Sequence, residues 1–256
     1  MPFYNGARSS FFSGVRPGAI TNVNTLPNLQ VWYDGSDIAQ FNPTNPTNGS
    51  SITQWKDKSA FAHNASPSGG ASVRPTYQTN VQNGLSVVRF DGSNDNLTIN
   101  PATWAASLSG FTTFVVAKIT NTTGTRTIIG NDQNGQKIYW NGTNFAVSSA
   151  GGIGTSTATA DTTKFKIFGL IYNGTLTGNA ARLVFRYGET NQTLTFTGTV
   201  GATTNASTNQ IDLGWYSTGN SEYFAGDIAE VIYFSRTLNS GEIAGVEDYL
   251  SNKWAI

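Results

Sequence analysis

The sequence predicts an all-β protein of antiparallel layers closed by one C-terminal α-helix, and three observations carry that prediction. Short runs rich in Val, Ile, Phe and Tyr recur from Leu29 onward, separated by Gly, Asn, Ser and Thr. A helical period appears in only one segment, at the end of the chain. Charged residues are 12% of the 256, about half the usual share of roughly 25%, which leaves a strand-and-turn vocabulary.

Residues 1–27 have neither a helical nor an alternating period, so they are expected to form an extended arm before a domain spanning 28–256. Phe11, Phe12 and Arg16 mark that arm as a segment that packs on its own domain or anchors the chain to a particle. The first residues lack the basic stretch and apolar run of a secretory signal, so a non-secreted product is expected.

Leu29–Tyr33, Ile52–Lys56, Leu85–Asp91, Phe111–Ile119, Arg126–Gly130 and Phe165–Tyr172 follow as strands, with Pro43–Gly49 a loop. Asn141-Gly142 tolerates the positive φ of a type I′ turn, predicting a tight hairpin across Lys137–Val147. Ala181–Tyr187 and Gln192–Thr197 alternate apolar and polar, which predicts a second hairpin. Gly151–Thr163 and Thr199–Asn209 have little to bury and are expected to be loops or weak edge strands. Tyr223–Phe234 supplies a last long strand.

Asn239 and Glu242 stand three apart, as a capping box requires, and Leu238 can pack on Ile243 as a staple. Ile243, Val246, Leu250 and Trp254 then form one apolar stripe. Many strands followed by one late helix imply packed β layers rather than an alternating α/β fold.

Composition removes several functions. Fifteen basic against fifteen acidic residues, with no basic run, argue against nucleic acid as a partner. The absence of Cys removes disulfides, thiolate metal sites and cysteine nucleophiles. No stretch is apolar enough for membrane insertion.

Two motif clusters resemble the concanavalin A-like (laminin G-like) modules of bacterial and phage proteins. The first is Trp55-Lys-Asp57-Lys-Ser59, Asn64-Ala65, Pro75-Thr-Tyr77, Gly84 and Val88-Arg89-Phe90-Asp91-Gly92-Ser-Asn-Asp95-Asn-Leu97. The second is Gly226-Asp-Ile-Ala-Glu230-Val-Ile-Tyr233-Phe-Ser-Arg236-Thr-Leu238, with Glu242, Tyr249-Leu250 and Lys253-Trp254. The resemblance covers about residues 29–256 and implies a two-sheet antiparallel jelly-roll sandwich, whose relatives hold ligands along one rim or on the concave face. Trp55 and Trp254 are expected in the core, as are Val88 and Phe90, with Arg89 pointing outward.

A catalytic device is harder to find. None of the five glutamates has an Asp two residues on with another Glu soon after. The nearest carboxylate pair, Asp227 and Glu230, is spaced to fall on opposite faces of a strand. His63 is the only histidine and has no nucleophile elbow nearby. One His without Cys cannot build a usual zinc site. Calcium is the one metal to weigh, at Asp91, Asn94, Asp95 and Asn96, where a self-bonded turn is the favoured reading; no cofactor is expected.

Trp140, Trp215, Tyr216 and Asn220 are the candidate glycan contacts, because sugars need aromatic platforms beside amides. The leading expectation is a non-enzymatic phage virion protein, a capsid decoration or tail component made in the host cytoplasm. Its partners would be other virion proteins or further copies of itself. The alternatives are a glycan-binding surface adhesin, with a host surface glycan as partner, and a polysaccharide hydrolase with an unrecognised site.

Overall fold

A computed structural model describes residues 20, 22–131, 135–217 and 222–256. The predicted anchoring residues Phe11, Phe12 and Arg16, and Asn220 of the glycan set, lie outside the described residues. In chain order the strands are β1 (Leu29–Asp34), β2 (Phe41–Asn42), β3 (Gln54–Trp55), β4 (Thr76–Gln82), β5 (Leu85–Asp91) and β6 (Leu97–Ile99). There follow β7 (Gly110–Ile119), β8 (Arg126–Asn131), β9 (Gln136–Trp140), β10 (Phe145–Ser149), β11 (Gly152–Ser156) and β12 (Lys166–Asn173). The one-turn helix α1 (Asn179–Arg182) precedes β13 (Leu183–Tyr187), β14 (Thr190–Asn191), β15 (Leu194–Thr197), β16 (Ile211–Leu213) and β17 (Ala225–Phe234), and α2 (Ser240–Trp254) ends the chain.

The described strands form an all-β antiparallel sandwich of two large sheets, with β2 and β3 paired as a separate two-stranded sheet. The first sheet runs β14-β13-β12-β7-β17-β5-β4, with β1 also on β17, and the second runs β15-β11-β10-β9-β8-β16-β6. Between them lies the main core, built around Tyr33, Trp55, Phe90, Phe111, Phe145 and Tyr233. A second apolar layer, with Trp32, Phe114, Ile232, Val246, Leu250 and Trp254, joins the outer face of the first sheet to α2. Every residue of β17 is buried, because the strand has a core on each side. Val88 and Phe90 face the inner core while Arg89 points outward to Asp227, as expected.

Helix α2 starts as its sequence dictates. The Asn239 side chain accepts the amide of Glu242 at 3.0 Å, and Glu242 accepts the amide of Asn239 at 2.9 Å. Leu238, Ile243, Val246, Leu250 and Trp254 all pack on the second layer, and each fully buried side chain among them contributes roughly 1.5–3 kcal/mol.

Three local expectations need correction. The hairpin after Trp140 forms, but Trp140 pairs with Phe145, so its loop has four residues rather than two. The Asn141 side chain, accepting from the amides of Thr143 and Asn144, holds this wider loop together. Residues 181–197 do not make one hairpin. β13 pairs with β12 and β14 in the first sheet, whereas β15 joins β11 in the second. Both strands therefore turn apolar side chains to the same inter-sheet core from opposite walls, which alternation alone cannot distinguish from a hairpin. Finally, β17 carries a bulge: Ile228 faces Ala117 and Glu230 faces Val116, leaving Ala229 as the extra residue. Asp227 and Glu230 thus share the helix-side face instead of opposing each other.

Candidate functional site

Helix α2 packs on the outer face of the first sheet and leaves that of the second uncovered by its apolar stripe. Register places the side chains of that outward face. Thr98 lies opposite Asp212, and Asp212 opposite Gly130. Farther across, Lys137 faces Ser148, Ser148 faces Ile153, and Ile153 faces Thr197. A parallel row runs Thr127, Tyr139, Ala146, Thr155, Thr195. The floor is thus made of hydroxyls and small side chains: Thr98, Thr127, Ala146, Ser148 and Asp212 are buried, as is Lys137, Tyr139 is half-buried, and Ile153, Thr195 and Thr197 are exposed.

Residues 214–217 and 222–224 bring aromatic and acidic groups to one end of this floor. Lys137 sits with its ammonium 4.2 Å from the centre of the Tyr139 ring and 4.1 Å from that of Tyr216, and it bridges to Glu222. Glu222 also accepts the Thr127 hydroxyl at 2.8 Å. Burial pushes the Lys137 ammonium below its ordinary range, with Glu222 opposing the shift. The Tyr139 phenol is pushed up by burial and then by the Glu222 charge. Trp215 and Tyr223 stack at 6.1 Å with rings 12° from parallel, both half-buried, and the Trp215 indole donates to Thr98 at 3.4 Å. Asp212, fully buried, accepts from Thr98, Gln210 and the amide of Ser217; burial raises its carboxyl and these donors pull against the rise.

Two of the sequence-predicted contacts need a different role. Trp140 faces the inner core, its ring edge-on to Phe145 at 5.2 Å and its indole donating to the Thr122 carbonyl, so it offers no ring to solvent. Tyr216 is buried beneath the Lys137 ammonium and serves as a wall rather than a platform. Trp215 does reach the outward face. Lys137, Tyr139, Asp212 and Glu222 went unnoticed, although strand parity held a signal: Ile138 and Trp140 turn inward, so Lys137 and Tyr139 must turn outward.

The other candidates are structural. Asp57 accepts the amides of Trp32 and His63 at 2.8 and 2.9 Å and the amide of Ser59 at 2.8 Å, which fixes the loop after β3. Asp91 accepts the amides of Ser93 and Asn94, while Asp95 accepts that of Asp91, so this turn bonds to itself. No group of three or more His, Cys, Asp or Glu is placed to hold a metal ion among the described residues. Asp227 is fully buried against Arg89 and Lys118, and Glu230 is fully buried under α2.

Burial, joined by the charge of Asp91, raises the Asp95 carboxyl from 3.8 to about 6. A raised carboxyl favours the fold while protonated, and that contribution is lost as pH climbs from 3.8 through about 6. Asp95→Asn keeps an acceptor for the Asp91 amide without the charge. It is expected to stabilise the protein at pH 7 by about 1 kcal/mol after solvent screening. The gain should vanish below about pH 4, and equal urea midpoints for the two proteins at pH 7 would contradict the assignment.

No family model and no curated protein matches the sequence. Solved structures do match. A Trypanosoma rangeli sialidase in complex with 2,3-difluorosialic acid aligns with TM-score 0.60 and 14% identity over 89% of this chain and 33% of the sialidase. Domain 4 of AbnA, an extracellular GH43 arabinanase from Geobacillus stearothermophilus in complex with arabinotriose, aligns with TM-score 0.55 and 16% identity over 87% of this chain and 98% of that domain. The binding domain of Paraclostridial Mosquitocidal Protein 1 aligns with TM-score 0.59 and 11% identity, over 88% of this chain and 53% of that one. The chain spans about a third of the sialidase's length.

These neighbours overturn the expectation of a non-enzymatic phage virion protein. The three are a sialidase, a domain of an arabinanase and the binding domain of a mosquitocidal protein, and none of them is a virion component. At such identities the likeness speaks to architecture alone. In architecture this chain has the concanavalin A-like lectin/glucanase fold, a jelly roll of two sheets closed by a C-terminal helix.

Proposed function

We propose that this protein is a carbohydrate-binding domain whose ligand lies on the outward face of the second sheet. The observation that carries the reading is the convergence there of the half-buried Trp215–Tyr223 stack, the half-buried Tyr139 ring and Glu222, backed by the buried Lys137 and Tyr216, on the sheet face that α2 does not cover. Stacked rings take the apolar face of a sugar, and fixed charged and hydroxyl groups at its edge select the hydroxyl pattern. The Lys137–Glu222 pair is held before any ligand arrives, so little side-chain freedom remains to be lost on binding. Support also comes from the arabinanase domain, whose whole length this fold spans and whose structure contains arabinotriose.

The reading predicts saturable binding of a neutral oligosaccharide by calorimetry. Trp215→Ala and Tyr139→Ala should each weaken it at least tenfold, about 1.4 kcal/mol, with the fold intact. Affinities unchanged in both variants would remove the face from the binding site. Release of reducing ends from the bound oligosaccharide would instead assign the face to hydrolysis.

A further inference from the structure

Asparagine followed by glycine is a dipeptide whose side-chain amide can be attacked by its own backbone, because glycine has no Cβ to crowd the approach of its nitrogen and the attack is intramolecular. Among the described residues it occurs four times, at Asn48-Gly49, Asn83-Gly84, Asn141-Gly142 and Asn173-Gly174. Their surroundings sort them. The Gly49 amide donates to the Tyr77 carbonyl at 2.7 Å and the Gly174 amide to the Ser109 carbonyl at 2.8 Å, so in each the nucleophile is tied down by a bond that attack has to break. The amides of Gly84 and Gly142 make no hydrogen bond among the described residues.

The two pairs with a free nucleophile differ in what holds the amide under attack. Asn83 Nδ2, the leaving group, donates to the Lys253 carbonyl at 3.0 Å, and no donor reaches its Oδ1. Asn141 is the reverse: its Oδ1 accepts the amides of Thr143 and Asn144, both at 2.9 Å, while its Nδ2 is unbonded. Two backbone N–H groups therefore already point at the oxygen on which negative charge gathers when a nucleophile adds to Cγ, as in an oxyanion hole. Asn141, Gly142 and Thr143 are exposed, so water reaches the loop. There is room for a ring to close as well, since a Cβ on Gly142 would meet nothing nearer than the Gly124 carbonyl oxygen at 3.9 Å.

We infer that Asn141-Gly142 is a self-modification site, at which the folded chain converts its own asparagine to aspartate and isoaspartate. The Gly142 nitrogen gives its proton to hydroxide and bonds to Asn141 Cγ, and the electron pair of the carbonyl moves onto Oδ1, where the Thr143 and Asn144 amides receive it. The tetrahedral species collapses with loss of Nδ2 as ammonia, which takes a proton from water, and a cyclic imide remains. Water then opens the imide. Cleavage between Cγ and the Gly142 nitrogen gives aspartate, and cleavage at the Asn141 main-chain carbonyl gives isoaspartate, with one extra carbon in the backbone. Either product sets a negative charge in the loop that follows Tyr139 and Trp140, in a chain whose formal net charge is zero.

The test is to incubate the full chain in mildly alkaline buffer, folded and in parallel in urea, and to follow the four Asn-Gly peptides by mass spectrometry for the one-dalton gain, with isoaspartyl methyltransferase labelling of the product. In the folded protein Asn141 is expected to convert about tenfold or more faster than Asn48 and Asn173, and faster than Asn83. In urea, where no fold distinguishes the pairs, the four rates should fall within about threefold of one another. Three outcomes overturn the inference. An Asn141 amide that lasts as long as those of Asn48 and Asn173 in the folded protein would show that its two donors hold the side chain away from Gly142. A faster Asn83 would place the modification in the turn between β4 and β5. An equal lead of Asn141 in urea would make the reactivity a property of the local sequence and not of the fold.

Discussion

Replacing Glu230 with Gln is expected to cost about 3–5 kcal/mol, enough to lower the melting temperature by roughly 6–20 °C. The Glu230 carboxylate is fully buried between β17 and α2 and accepts four donors. One oxygen takes the Trp32 indole at 2.7 Å and the Tyr249 hydroxyl at 2.8 Å, and the other takes Lys253 at 2.8 Å and the Trp254 indole at 2.7 Å. Lys253 also reaches Asp34 at 2.6 Å, and Lys58 joins Asp34 at 2.8 Å and Asp37 at 3.0 Å. Burial raises the Glu230 carboxyl and Lys253 pulls it back down. Asp34 pays burial too, yet Lys253 and Lys58 hold it below its usual value. In Glu230→Gln the new amide turns N–H groups toward donors that already point inward, leaving buried groups unsatisfied on one side. Circular dichroism melts with Trp fluorescence check the expectation, and a loss under about 1 kcal/mol would show that α2 is held by its apolar stripe alone.

Trp55→Ala is expected to destabilise by about 3–5 kcal/mol, while Trp55→Phe should cost far less. The Trp55 ring is fully buried, stacked on Phe41 at 5.6 Å and tilted against Tyr33 at 5.4 Å, so truncation opens a cavity at the centre of the main core. The asymmetry follows from Trp55 Nε1, which is buried without a partner. Phe keeps an aromatic ring in the stack and removes that unmet donor, and the two terms offset. Denaturant midpoints separate the variants; equal losses would mean that the indole nitrogen is satisfied and the smaller ring fills the site poorly.

What the sequence revealed depended on how local each signal is. The capping box of α2 was legible because Asn239, Glu242 and the apolar stripe lie within one helix. The core positions of Trp55, Phe90 and Trp254 followed from motif and parity. Which sheet β13 and β15 join was not legible, since alternation states that one face is buried and not which wall it belongs to. The bulge at Ala229 was hidden for the same reason, and with it the shared face of Asp227 and Glu230. In the candidate site, aromatic content drew attention to Trp140, whereas the outward face belongs to its neighbour Tyr139. Glu222 could not be found from sequence, because it meets Lys137 across 85 residues of chain.

Titrating arabinotriose into 15N-labelled protein decides whether the outward face of the second sheet holds a carbohydrate. Saturable shifts are expected at the backbone amides of Lys137, Tyr139 and Glu222 and at the Trp215 indole, with the α2 amides unmoved. Shifts centred on α2 and β17, or a panel of neutral oligosaccharides that moves no resonance of that face, would contradict it.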